Sequence, residues 1–340
     1  MIEAAPVIST ESLVKRFSDV DAVAGIDLRV PAGGVYGFLG PNGAGKSTTI
    51  RILVGLLRPT RGSASLFGER VAPGSAVLDR VGALVERPSF YPYLTATDNL
   101  RVLGLARGLS QSSLATAVPE ALDRVGLAAA ARRKAGRFST GMRQRLGIAA
   151  ALLGRPELVI LDEPANGLDP NGVVDVRQLI SRLARDGITI FLSSHVLPEV
   201  EQLCDRVAIL QAGRIVAEGE TQALLRPGER LHVRFDTVED AERARTLLEA
   251  FGPVAPTAAS AAASAAAYLI EAPPGRGSEV IRSLAEAGIY PAELSVRRQS
   301  LEALFIELTG DHAAAEPGVD ASAGRPPAAE ALAPLESTRP

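Results

Sequence analysis

An α/β fold around a parallel sheet is predicted by three features of the 340-residue sequence. Short apolar runs such as Val35-Tyr36-Gly37-Phe38-Leu39 and Glu157-Leu158-Val159-Ile160-Leu161 suit strands buried on both faces. Segments with helical spacing alternate with these runs. Between the first run and the helical stretch after it stands Gly40-Pro41-Asn42-Gly43-Ala44-Gly45-Lys46-Ser47, which fits G-x-x-x-x-G-K-[ST] in the strand-to-helix setting that the pattern requires. Gly43 and Gly45 let the backbone bend round a phosphate chain, with N–H groups and a helix N-terminus facing negative charge. Lys46 would reach the β- and γ-phosphates, the Ser47 hydroxyl would sit on Mg²⁺, and Thr48 completes the candidate cradle. A glycine-rich turn that binds nothing is the weaker reading. Lys15, Lys46 and Lys134 are the only lysines among 36 basic residues, so a compact ammonium stands where phosphate chemistry uses one.

Composition narrows the class. With 46% hydrophobic and 22% charged residues, the chain reads as a soluble globular protein long enough for two domains. Its single cysteine, Cys204, excludes an internal disulfide framework and is expected to pack inertly on a helix in a reducing, cytoplasmic compartment. No basic-then-apolar leader and no run of about 18 strongly apolar residues is present, so the chain is not expected to span a membrane itself. A net charge of −3, 4% aromatic residues and no tryptophan argue against a nucleic-acid partner. The cluster Arg132-Arg133-Lys134 reads as a solvated face.

In chain order, residues 13–17 and 23–30 read as two antiparallel strands of a flap before the phosphate loop. Phe17 could stack on adenine or pack as core. A strand is expected at 62–67 and another at 81–85, ending at Glu86. Residues 88–93 form a proline-broken aromatic loop, either a docking surface or local packing, before the capping box Thr95-x-x-Asp98. Residues 100–106 and 117–125 continue helical to Gly126. Ser139 caps a helix with the stripe Met142, Leu146, Ala149, Ala150 and Leu153; Ser139 and Gly141 at its N-terminus could hold an anion or serve only the helix. The strand at 157–161 delivers Asp162 and Glu163 at its C-terminal end, where α/β sheets place ligands. Asp162 would hold Mg²⁺ and Glu163 would take a proton from an attacking water, unless both merely cap or pair. Asn166-Gly167-Leu168-Asp169-Pro170 leads into a helix, and the strand at 188–192 ends at Ser193-Ser194-His195.

The ordered set GPNGAGKST, FSTGMRQRL, LVILDEP, NGLD and SSH resembles the nucleotide-binding subunits of ABC transporters across roughly residues 8–222. The stretch VGALVERPSFYPYLTATDNL, with STGM, is similar to the ATPases of bacitracin and lantibiotic exporters. The resemblance implies a P-loop NTPase domain with a helical subdomain, in which Phe17 stacks on adenine, Lys46 and Ser47 serve phosphates and Mg²⁺, and Asp162 and Glu163 are the acidic pair. It further implies that His195 contacts the γ-phosphate, that Asp169 communicates across a dimer, and that Ser139 and Gly141 touch ATP held by the opposite subunit. Thr140 and Met142 depart from the usual signature. Glu86 stands where most members have Gln; a carboxylate can ligate Mg²⁺ but cannot donate a hydrogen bond, so its assignment as both metal ligand and catalytic residue is an open expectation.

Beyond residue 222, strands at 231–235, 268–270 and 294–296 alternate with helices from the Thr237-x-x-Asp240 cap, at 279–287 and at 301–308, which predicts a small α/β sandwich. Residues 258–267 are low-complexity Ala/Ser, and 311–340 are expected to be a disordered tail. The expected plan is therefore an ABC ATP-binding domain at 1–222, a small α/β domain at 223–310 and a tail at 311–340. The expected function is ATP hydrolysis by a head-to-tail dimer that drives a separately encoded permease, with export favoured, from the inner face of the cell membrane. The alternatives are a soluble ABC ATPase of translation or DNA repair, and a metabolite kinase that leaves FSTGM and His195 without a role.

Overall fold

The computed structural model describes residues 6–86, 88–225, 229–256, 266–272, 275–298 and 300–313. Its first sheet is antiparallel and joins β1 (Ile8–Phe17), β2 (Val20–Val30), β4 (Arg61–Leu66) and β5 (Glu69–Arg70) in the order β2-β1-β4-β5. The flap strands are longer than the sequence suggests. An irregularity at Ser12, which adopts φ 44°, shifts the register between Thr10 and Leu13, and both Ile8 and Leu13 stay buried across it.

Six strands form the central sheet: β3 (Val35–Leu39), β6 (Val81–Leu84), β7 (Leu158–Leu161), β8 (Thr189–Ser194), β9 (Arg206–Gln211) and β10 (Arg214–Glu220). Their order is β10-β9-β3-β8-β7-β6, parallel except for the edge strand β10. Both faces of this sheet are covered, which is why its strands read as unbroken apolar runs. Leu39, Leu161, Leu192 and Ile209 join one buried cluster, while Phe38, Ile160, Phe191 and Ala208 join the other. The first face carries α4 (Thr140–Leu152) and α5 (Pro170–Arg185); α1 (Lys46–Leu53) lies on the second. Helix α1 stops at Leu53, well before Pro59, with Gly55 in the left-handed region.

Helices α2 (Ala96–Ala106) and α3 (Gln111–Arg124) pack with α4 as the helical part of this body. Thr95 caps α2 by accepting from the Asp98 amide at 3.1 Å, as the capping box predicts. Ser110 caps α3 the same way, so that helix starts six residues before the expected 117. The sequence reading assigns nothing to β9, β10, α6 (Leu197–Leu203) and α7 (Thr221–Leu224). Cys204 is correspondingly the residue just after α6, still buried, and burial pushes its thiol well above its ordinary range.

The remaining strands, β11 (Glu229–Phe235), β12 (Val254–Pro256), β13 (Ala266–Ala272) and β14 (Glu293–Arg298), make a third, antiparallel sheet in the order β12-β13-β11-β14. With α8 (Val238–Glu249) and α9 (Gly277–Glu286) they form a β-α-β-β-α-β unit. One sheet face, through Leu231, Val233 and Phe235, packs on Ala241, Ala244, Leu248, Val280 and Leu284. Strand β12 was not expected, and residues 266–267 of the Ala/Ser stretch begin β13; residues 257–265 lie outside those described. Helix α10 (Leu301–Ala313) then leaves this unit and packs against α6, with Leu301 buried in the cluster of the central sheet and Leu304 and Phe305 against it. Residues 311–313 of the expected tail thus belong to α10, and 314–340 lie outside the described residues. No described helix is long and apolar enough to cross a membrane.

Candidate active site

The loop between β3 and α1 is built by close backbone approaches. A Cβ on Gly45, whose φ is 104°, would lie 2.3 Å from the Ala22 carbonyl oxygen, and one on Gly40 would lie 2.5 Å from that of Leu210. Gly45 therefore admits no other L-residue without moving β2. Open space surrounds Gly43 at φ 84°, on the side a ligand can reach. Asn42 and Ala44 complete the turn, with Ala44 N–H donating to Pro41 O at 3.2 Å. Lys46 opens α1 and is almost fully buried; its Nζ donates to Gly40 O at 2.7 Å and Pro41 O at 3.1 Å. Ser47 and Thr48 follow it in the first turn.

The same Nζ lies 3.4 Å from Glu163 Oε1. Glu163 adopts φ 48°, a backbone conformation that costs a non-glycine residue free energy and recurs at functional sites. Its other carboxylate oxygen accepts from Asn166 Nδ2 at 2.9 Å and lies 3.2 Å from His195 Nδ1. Lys46, Asn166 and His195 thus converge on one carboxylate, which the strand ends of β3, β7 and β8 bring together. Beside it, Ser193 Oγ donates to Asp162 Oδ1 at 2.5 Å and accepts from the Glu163 amide at 2.9 Å. In the sequence Ser193 stands only as the first residue of the SSH run. Its role follows from the parallel pairing of Leu161 with Leu192, which sets the residues after them side by side.

A cavity of about 230 Å³ lies behind the carboxylate between α5 and α6, lined by Leu168, Val176, Ile180, Glu199 and Val200 besides Glu163 and His195. Burial holds the Glu199 carboxyl above its ordinary range.

The other expected site residues lie apart from this cluster. Phe17 is half-exposed at the end of β1 with Lys15 Nζ 5.1 Å from its ring centroid, on the hairpin whose Ala22 touches Gly45. Ser139 accepts from the Met142 amide at 3.2 Å as cap of α4, and the space around Gly141 is open. Asp169 accepts from the Gly172 amide at 3.0 Å as cap of α5. Glu86, at φ 69°, is ion-paired with Arg51 of α1. Among the described residues, no hydrogen bond or ion pair links Ser139, Gly141, Asp169 or Glu86 to the Lys46 cluster.

No group of three or more His, Cys, Asp or Glu side chains among the described residues could hold a metal by itself. Ser47 and Asp162 offer a sparse set of hard oxygen donors. Such a set fits Mg²⁺, which keeps water and phosphate oxygens among its ligands.

The ABC transporter family profile matches residues 23–166. Bacitracin transport ATP-binding protein BcrA of Bacillus licheniformis is 39% identical over 306 residues, 89% of this chain and 97% of that relative. Daunorubicin/doxorubicin resistance ATP-binding protein DrrA of Streptomyces peucetius is 38% identical over 312 residues, 89% of this chain and 92% of its own length. A solved structure of an ATP-binding subunit of an ABC transporter is 32% identical with a TM-score of 0.57, over 64% of this chain and 91% of that one.

Proposed function

The chain belongs to the ATP-binding subunits of ABC transporters, and from that premise we propose that it hydrolyses ATP to drive a separate membrane permease exporting a drug, peptide antibiotic or similar compound. The convergence of Lys46, His195 and Asn166 on Glu163 carries the reading, because it puts a phosphate-binding cation beside a carboxylate fit for base chemistry. The direction of transport rests on the relatives, whose names refer to bacitracin transport, daunorubicin resistance and lantibiotic transport.

In this reading the backbone N–H groups of Asn42, Gly43 and residues 45–48, with Lys46 Nζ, bind the phosphates, and Phe17 stacks on the base. Incoming phosphate takes over Lys46 from Glu163, which frees the carboxylate to accept a proton from water, while His195 turns to the γ-phosphate. Ser47 and Asp162 would hold Mg²⁺, which supplies charge neutralisation on the phosphates, and Ser193 keeps Asp162 aimed. Ser139 and Gly141 act on nucleotide held by a second copy of the chain, and Asp169 lies at that junction. The ATPase unit works at the inner face of the membrane through its permease, with residues 1–222 as the ATP-binding domain and 223–310 as an appended one.

Glu163→Gln keeps the shape and the Asn166 contact but not the base. Nucleotide binding is expected to persist while hydrolysis falls by about 10²–10⁴-fold. Near-normal steady-state ATPase activity in the purified variant would remove Glu163 from this role.

A further inference from the structure

We propose that Arg51 is a positioning residue for the nucleotide site: by pairing with Glu86, it neutralises a carboxylate that would otherwise stand unpaired two residues beyond the strand end tied to Asp162. The inference rests on the ATPase reading above. Glu86 ends the segment after β6, and β6 is the neighbour of β7, with the Asp162 amide donating to Leu84 O at 2.8 Å. The strand end that precedes Glu86 is therefore tied to the residue that would face the cation. Arg51 comes from α1, the helix that follows the phosphate loop. It lies four residues after Ser47 on α1, so the two side chains share a helix face about 6 Å apart at Cβ. Its guanidinium Nη2 meets Glu86 Oε1, and the pair straddles helix and strand 35 residues apart in sequence.

Electrostatics gives the pair its consequence. A neutral amide at position 86 would add no charge, whereas an unpaired carboxylate repels a triphosphate and attracts a divalent cation at short range. Arg51 cancels that charge while leaving it attached to a segment that continues into the aromatic loop at 88–93. Glu86 adopts φ 69°, so its backbone is already held in a conformation that a non-glycine residue seldom takes. Both side chains are partly exposed to water, so the electrostatic effect is that of a surface pair, not a buried one.

The test measures equilibrium binding of a fluorescent ATP analogue to the full-length chain at low temperature, once in excess Mg²⁺ and once in EDTA. The quantity read is the ratio of the two affinities. In Arg51→Gln the freed carboxylate weakens metal-free binding and strengthens metal-dependent binding, raising the ratio by about two- to fivefold, the range of an exposed ion pair. Arg51→Lys, which keeps the charge, stays near the wild-type ratio, and Arg51→Gln combined with Glu86→Gln returns to the ratio of Glu86→Gln alone. A merely structural role for Arg51 would move both affinities together and leave the ratio unchanged. An unchanged or lowered ratio in Arg51→Gln, or a raised ratio that survives in the double variant, overturns the proposal. Loss of nucleotide binding in the unmodified protein would instead overturn the ATPase reading itself.

Discussion

The C-terminal ends of β3, β7 and β8 and the four-stranded unit of β11 to β14 are both α/β constructions, yet their polar groups are used differently. At the central sheet, Ser193 both donates and accepts, and Glu163 serves three partners from a strained backbone. In the C-terminal unit, ion pairs such as Arg230 with Glu271 and Arg276 with Glu279 lie at the surface. Its one deeply buried polar side chain, His232, leaves Nδ1 without a hydrogen-bond partner among the described residues. The first region has polar atoms committed to a geometry, while the second is held by its apolar face and tolerates an uncommitted one.

Ser193→Ala is the largest single perturbation of that contrast. It removes the hydroxyl shared by Asp162 and the Glu163 amide, and ATPase activity is expected to fall by about 10- to 100-fold, as for other partners that orient metal-binding groups. Unchanged turnover would mean that the strand ends alone aim the two acids.

Two helix caps give a finer test, because Ser139 and Thr237 make the same bond, to the Met142 and Asp240 amides at 3.2 and 3.1 Å. Replacing either by Ala should cost about 1 kcal/mol of stability, seen as a lower thermal midpoint. Only Ser139→Ala should also lose ATPase activity, and mixing it with Lys46→Ala subunits should restore part, since one of the two shared sites is then intact. Equal ATPase effects at both caps, or no recovery on verified subunit exchange, would erase the functional difference between the helices.

His232→Leu has the smallest expected effect. Removing a buried nitrogen without a partner should raise the unfolding temperature of the C-terminal unit by a few degrees, about 1 kcal/mol, and leave ATPase activity alone. A falling midpoint would show that the imidazole is engaged after all.

The apolar runs at 35–39 and 158–161 were legible because burial on both faces leaves a one-dimensional trace, and the phosphate loop because its glycines must stand at fixed intervals. Asp162, Glu163 and His195 were legible as residues at strand ends, but their partners were not. Ser193 meets the acids only because β8 lies between β3 and β7, and strand order is not written in any local pattern. Arg51 and Glu86 lie 35 residues apart, and each reads as an ordinary surface charge until α1 and β6 are placed. The hairpin of β9 and β10 was missed although Arg206-Val207-Ala208-Ile209-Leu210-Gln211 has the composition of the strands that were read. Helix α10 was expected, but its apolar composition does not say which surface it seeks.

That surface has a consequence for the order in which the molecule assembles. Leu301 N–H donates to Glu201 Oε2 at 3.4 Å, across 100 residues, and the side chain of Leu301 fills part of the core beside α6. During synthesis from the N-terminus, the central sheet and α6 are complete while the chain that covers this seat is still being made. This contact of the nucleotide-binding body closes a loop of about 100 residues, and that loop must close after the rest has folded. Until then a newly made subunit offers an uncovered apolar seat beside the helix that follows His195, a place for a chaperone to hold an unfinished chain.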